Sequence, residues 1–395
     1  MLELCAIEMH TLHRATLEQP IAHSLAWFTR EVLSLESLLN QVTVKRRRNL
    51  ARPVRRRRSA FRDPAMSLDF LVMAWLGATR LSHIARYLAR RHDLAHIFGL
   101  PRFADHTTAH NFLNNFHASH LRQLDRVNTE LLRHSGSLDR KRPAFLDLDV
   151  AIRPVRRRTG GITRVYTWAT AFSDHLCVAQ LLEEKTIEPR DALLRLLDQA
   201  RALWQGRPRL IRLSPPCLSE SLLRALLRQR FRFLARTSWA WALTHANARL
   251  EAAEWQILDP DTRARDLGWT TLGPASRPNA RLILLERASI VPAAPPDRSA
   301  VVTSLPDADP QTLAALASYP TTARSFFGHP TWPLRDGKPP SSRPRGMAAY
   351  LRLAAIAMNT LTLFARALGP PWTPGRVHRA LRVIPWPSDP PPTAT

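Results

Sequence analysis

Asp147 and Asp149 stand two residues apart in the run Ala144-Phe145-Leu146-Asp147-Leu148-Asp149-Val150. If this run is a strand, alternation puts both carboxylates on one face beside Phe145, with Leu146 and Leu148 on the other. Two acids held that close repel unless a cation or an arginine lies between them, so a divalent-metal site is one expectation. The plainer alternative is an edge strand whose acids pair with Arg153 or Arg156. Four histidines form two further candidates: His92 with His96, and His106 with His110, each at the i, i+4 spacing of a zinc-binding pair, with Asp93 where a metalloprotease places its glutamate. No third ligand accompanies either pair, so surface or capping histidines are the favoured reading. Gly160-Gly161 lacks phosphate-loop spacing and reads as a turn. Cys217 and Ser219 have no histidine near them in sequence to activate a nucleophile.

The elements that must position the acids follow from hydrophobic period. Residues 144–152, 165–172 and 175–182 are short β-prone runs. After them come a helix over 189–204, a strand over 209–213, a helix over 218–228 and a strand over 231–236. The order β-β-β-α-β-α-β predicts an α/β fold, an RNase H-like mixed sheet flanked by helices. Residues 239–290 read as a β-rich insertion with strand candidates at 239–243, 255–258, 269–272 and 281–285, and the chain resumes its core strand at 301–303. Upstream, residues 61–138 read as an all-α module, in which Asp105 is a natural N-cap for the helix through His110 and Phe112. Residues 1–60 read as a helical N-terminus and an arginine-rich arm. The expected organisation is therefore 1–60, 61–138, 139–368 and a proline-rich tail over 369–395, read as disordered. Within the third unit, the run from Met347 to Leu368 reads as a buried helix rather than a membrane span, because Arg352 and Arg366 interrupt it.

Composition narrows the partners. The 395 residues carry a formal net charge of +25, nearly all of the positive charge being arginine, and 45% are hydrophobic. A polyanion is the expected partner, and nucleic acid suits the pattern better than a membrane. The basic arm, including Arg46, Arg47, Arg48, Arg55, Arg56, Arg57 and Arg58, and the cluster Arg153, Arg156, Arg157 and Arg158 beside the acidic strand are the expected DNA contacts. A solvated linker and a solvated hairpin are the competing readings. Three widely separated cysteines, Cys5, Cys177 and Cys217, make neither a disulfide framework nor a cysteine zinc site, and with no signal-peptide pattern a reducing, cytoplasmic setting is expected.

These pieces, in this order, resemble the DDE transposases of bacterial insertion sequences, in the branch that carries a β insertion between its second and third acids. The matching residues are the strand with Asp147 and Asp149, the strand ending Ala179-Gln180-Leu181-Leu182, the strand-turn-helix over 210–227 and the strand over 231–235. Ile97-Phe98-Gly99-Leu100-Pro101-Arg102 with Thr107 to Leu113 is similar to that family's helical N-terminal region, Val302-Thr303-Ser304-Leu305-Pro306 to its strand before the third acid, and Leu353 to Leu361 to its late helix. The resemblance spans residues 65–368. It implies binding to transposon-end DNA, by a homodimer as one option, and strand transfer by three carboxylates holding two Mg2+ ions. Asp147 or Asp149 supplies the first acid. Ser214 stands where the second acid belongs. The third, a glutamate on a helix after Tyr319, falls in Pro320 to Phe327, where Phe326 is the nearest position and no acid occurs; indeed no glutamate follows Glu286. A neutral hydroxyl cannot replace an anionic bridging ligand, so the resemblance implies a degenerate site and an inactive enzyme. A non-enzymatic DNA-binding protein or repressor derived from a transposase is the alternative.

Overall fold

The computed structural model describes residues 18–42, 63–78, 80–139, 141–156, 163–183, 188–204, 206–215, 218–245, 254–272, 279–289, 295–318, 341 and 343–381. The basic arm with Arg46 to Arg58, and Arg157, Arg158, Cys217 and Phe326, lie outside them.

Nine strands form one mixed sheet: β1 (Phe145–Arg156), β2 (Thr163–Ser173), β3 (Leu176–Glu183), β4 (Leu210–Leu213), β5 (Phe233–Ser238), β6 (Trp255–Asp259), β7 (Thr262–Thr270), β8 (Ala280–Arg287) and β9 (Asp297–Thr303). Their order across the sheet is β3-β2-β1-β4-β5-β9-β8-β7-β6. β1, β4 and β5 run parallel, and every other neighbouring pair is antiparallel. The acidic strand is thus interior, between β2 and β4, and not the edge strand of the plainer reading. Its partner across β4 is set by a parallel register that places Asp147 beside Arg212. The residues read as an insertion extend the sheet itself, since β9 pairs with β5 on one side and β8 on the other.

Helices cover both faces. On one, α8 (Pro189–Arg201), started by Pro189 in its first turn, packs Ala192, Leu193, Leu196 and Leu197 against Leu146, Leu148, Ala169 and Ala171. Leu222, Leu223 and Leu226 of α9 (Glu220–Arg228) join the same core, and the Ser219 hydroxyl caps that helix by accepting the Leu222 N–H at 3.2 Å. Residues 239–243, read as a strand, form instead the start of helix α10 (Trp239–His245). The alternation Trp-Ala-Trp-Ala imitates a strand. Ser238, however, accepts the Trp241 N–H at 3.2 Å and turns the chain into a helix, whose Ala242 is buried in the core.

The second face is covered in two places. Trp168, Phe172 and Cys177 lie against Met347, Leu351, Ala354 and Ala355 of α12 (Pro344–Leu368), while Leu210, Leu234, Ile283 and Val301 lie against Leu313 and Ala314 of α11 (Pro310–Ser318).

The N-terminal helices are α1 (Glu18–Trp27), α2 (Leu35–Leu39), α3 (Asp63–Trp75), α4 (Leu81–His83), α5 (His92–Ile97), α6 (His106–Asn114) and α7 (Ala118–His134). They wrap around α12, which runs from the sheet into their midst; α3, α6 and α7 all pack on it. The Trp75 indole donates to the Ala357 carbonyl at 3.0 Å. Asn359 ties three elements together: its amide donates to Asn128 Oδ1 on α7 and to the Cys177 carbonyl on β3, both at 2.8 Å, and its oxygen accepts the Cys177 N–H at 2.8 Å. At the other end Gly346 permits a close approach, because a Cβ there would collide with the Ser341 side chain and stand 3.0 Å from the Leu113 carbonyl. Among the described residues α12 is the one helix long and apolar enough to cross a membrane, yet 89% of its apolar window is buried within the protein.

The region after Gly369 departs from the expected disorder. Gly369, at φ +70°, ends α12, and residues 374–381 form α13 (Pro374–Leu381), with Val377 and Leu381 fully buried and α1 and α12 as its neighbours. Proline at the first position of α13 starts a helix rather than preventing one. Residues 382–395 lie outside the described set.

Candidate functional site

Strand alternation in β1 sends Leu146, Leu148 and Val150 into the core beneath α8 and turns Phe145, Asp147 and Asp149 to the opposite face. Cross-strand partners fix the neighbourhood. Asp147 is opposite Phe172 and Asp149 opposite Thr170 on β2; on the β4 side stand Arg212 and, just past its end, Ser214. Both acids are buried, at 4% and 8% exposure, in the strip between the cluster under α12 and the cluster under α11.

The Arg212 guanidinium grips Asp147 in a fork, Nε to Oδ1 at 2.5 Å and a terminal nitrogen to Oδ2 at 2.7 Å. Its planar group also sits 5.0 Å from the centre of the Phe145 ring. The Ser214 hydroxyl donates to Asp149 Oδ1, which also accepts the Val150 N–H at 2.7 Å. Arg212 is itself 8% exposed, so this is a buried ion pair with its hydrogen bonds made, the arrangement in which a guanidinium is most effective.

The chemical consequence follows from lone pairs. An aspartate holding a divalent ion must offer an unblocked oxygen to it, and both oxygens of Asp147 face a cation already. Nearby, His175 stands at the β2–β3 turn, with φ at +65°. Partial burial lowers its pKa, the positive charge of Arg366 adds to this, and Asp147 opposes it.

Ser214, the residue in place of the second acid, is therefore brought beside Asp149 by the structure. Phe326 is outside the described residues, and so is the rest of the third-acid segment. Arg153 and Arg156 fall on the far end of β1, opposite Tyr166 and Thr163. Glu220, near Ser214 in sequence, sits in the first turn of α9 and faces Arg224 at 3.7 Å. Among the described residues no three His, Cys, Asp or Glu side chains gather as a metal site. The histidine pairs have local partners: His96 bonds the Pro101 carbonyl at 3.2 Å, His106 meets Thr107 at 3.3 Å, His110 meets Asn114 at 3.1 Å, and Asp93 pairs with Arg91 at 2.8 Å. Asp105 caps α6 as expected, accepting the Thr108 N–H at 2.8 Å.

Sequence reasoning missed Arg212. Its only signal was an arginine at the third position of a four-residue strand that is otherwise Leu and Ile. A charged side chain amid such a strand needs a buried counter-charge, and Asp147 is that charge. No family model matches this chain, and neither does any curated protein.

Proposed function

We propose that this chain is a DNA-binding protein of DDE-transposase descent, in which the seat of the catalytic metals has been closed by an internal ion pair. The observation that carries the reading is the fork of Arg212 on Asp147. In a two-metal site that carboxylate would bridge cations; here a guanidinium supplies the positive charge without Lewis acidity or a bound water. The strand order β3-β2-β1-β4-β5, with β1, β4 and β5 parallel and acids on β1, supports an RNase H-like ancestry. Ser214 beside Asp149 supports it too, because the second acid of such a site would reach the first from that position. Mg2+ would find Asp149 and no second free carboxylate on these strands. The net charge of +25 supports a retained grip on nucleic acid.

The test uses the full chain with supercoiled DNA. Retention on DNA falls steeply and linearly with the logarithm of salt, and neither Mg2+ nor Mn2+ elicits nicking or strand joining. Metal-dependent nicking that disappears in Asp147→Asn would overturn the closed-site reading, and salt-independent retention would overturn the DNA reading.

A further inference from the structure

Where the β2–β3 turn, the end of α12 and the start of α13 meet, they enclose a cavity of about 770 Å3. That volume lies in the range of small-molecule sites, roughly 300–1,000 Å3. Its walls are largely apolar, with Phe172, Met358 and Trp372 the largest of them, and its polar lining includes His175, Arg366 and His378 but no aspartate or glutamate. The Trp372 indole N–H is shielded from solvent and finds no acceptor among the described residues. A shielded donor of this kind costs about 1–3 kcal/mol until something accepts from it. Arg366 stands exposed at the rim, steadied by donating to the Asp174 carbonyl, and the His378 ring is anchored on the Ala74 carbonyl at 3.3 Å. The cavity adjoins the acid face, since Phe172 is the cross-strand partner of Asp147.

We propose that this cavity is a nucleotide site: it takes a planar ring bearing a carbonyl acceptor, together with an anionic group. Phe172 and Trp372 offer aromatic surface to the ring, the indole N–H gains a carbonyl acceptor, and Arg366 receives the phosphate. A pyrimidine nucleotide has all three features. It can arrive free, or as an unpaired unit of a DNA strand whose base leaves the stack. The inference does not depend on transposase descent, because a free mononucleotide satisfies it.

Titration calorimetry on the full chain with thymidine 5′-monophosphate, thymidine and a short oligothymidylate tests the proposal. The monophosphate binds saturably, and thymidine binds at least about tenfold more weakly for want of the charge-assisted contact. Arg366→Gln, a change at an exposed position, lowers monophosphate affinity by about tenfold and leaves thymidine unchanged, with an unaltered unfolding curve confirming the fold. Trp372→Phe keeps the ring, loses the donor and weakens both ligands. If the source is a strand, the oligothymidylate binds more tightly than the monophosphate, and the same two substitutions remove that gain. The proposal is overturned if the folded protein binds none of the three, or if neither substitution changes the affinity of any ligand.

Discussion

Replacing Asp69 by asparagine should stabilise the protein increasingly as pH rises. Asp69 lies on α3 with no exposed surface, and neither carboxylate oxygen makes a well-formed hydrogen bond; the backbone at Ala104 gives only a weak contact. Burial without compensation pushes its pKa up from 3.8 to about 8. Between those two values the folded protein keeps the proton while the unfolded chain has released it, so every rise in pH favours unfolding. The contribution of Asp69 is thus whole below pH 3.8 and falls away steadily up to pH 8, where it levels off. At pH 7 this amounts to a penalty on the order of 4 kcal/mol, at a factor of ten in the folding equilibrium per pH unit. Asparagine carries no such proton, although its amide adds a constant cost at every pH. The readout is therefore the slope: in urea unfolding from pH 4 to pH 8, the stability of Asp69→Asn relative to wild type rises by several kcal/mol. A difference that stays flat across that range refutes the reasoning, because an ionised Asp69 with an ordinary pKa would produce just that.

Arg212→Met strands a buried Asp147 and should cost about 3–5 kcal/mol, whereas the double variant Arg212→Met with Asp147→Leu recovers most of it, as a double-mutant cycle by chemical denaturation would show. Asn359→Ala leaves buried groups on Asn128 and at both the N–H and carbonyl of Cys177 short of partners, so a loss of about 2–4 kcal/mol is expected by thermal unfolding. Ser214→Asp brings a third carboxylate to the acid strip. With Arg212 in place it should not confer metal-dependent nicking, since Asp147 stays occupied; nicking by that single variant would show that the ion pair is no barrier.

Much of the core could be read from the residues because local period and local chemistry agreed. The acids on β1 alternate with Leu146 and Leu148, and the runs at β2, β3, β4 and β5 are apolar and bounded by turns. The long apolar run of α12 needed no tertiary context to be recognised as a helix, and only its place at the centre of the N-terminal helices was hidden. What escaped were relations rather than elements. Arg212 reaches Asp147 across 65 residues of chain, through a parallel register that no local pattern encodes. β7 begins at Thr262-Arg263-Ala264-Arg265-Asp266, where charge disguises a strand whose arginines lie over Trp255 at 4.7 and 5.9 Å and whose Asp266 pairs with Arg281. Proline and glycine around α13 disguised a helix whose apolar residues, Val377 and Leu381, are four apart and face inward.

The place of α12 bears on how the polypeptide is made. The helices emerging first from the ribosome rest their apolar sides on a segment translated some two hundred residues later. Until residues 344–368 leave the exit tunnel, Phe70, Phe112 and Trp75 lack the surface they are shaped to meet. Maturation must then wait for synthesis to near its end, and a premature stop anywhere upstream of that segment would yield an aggregation-prone fragment instead of a smaller working protein.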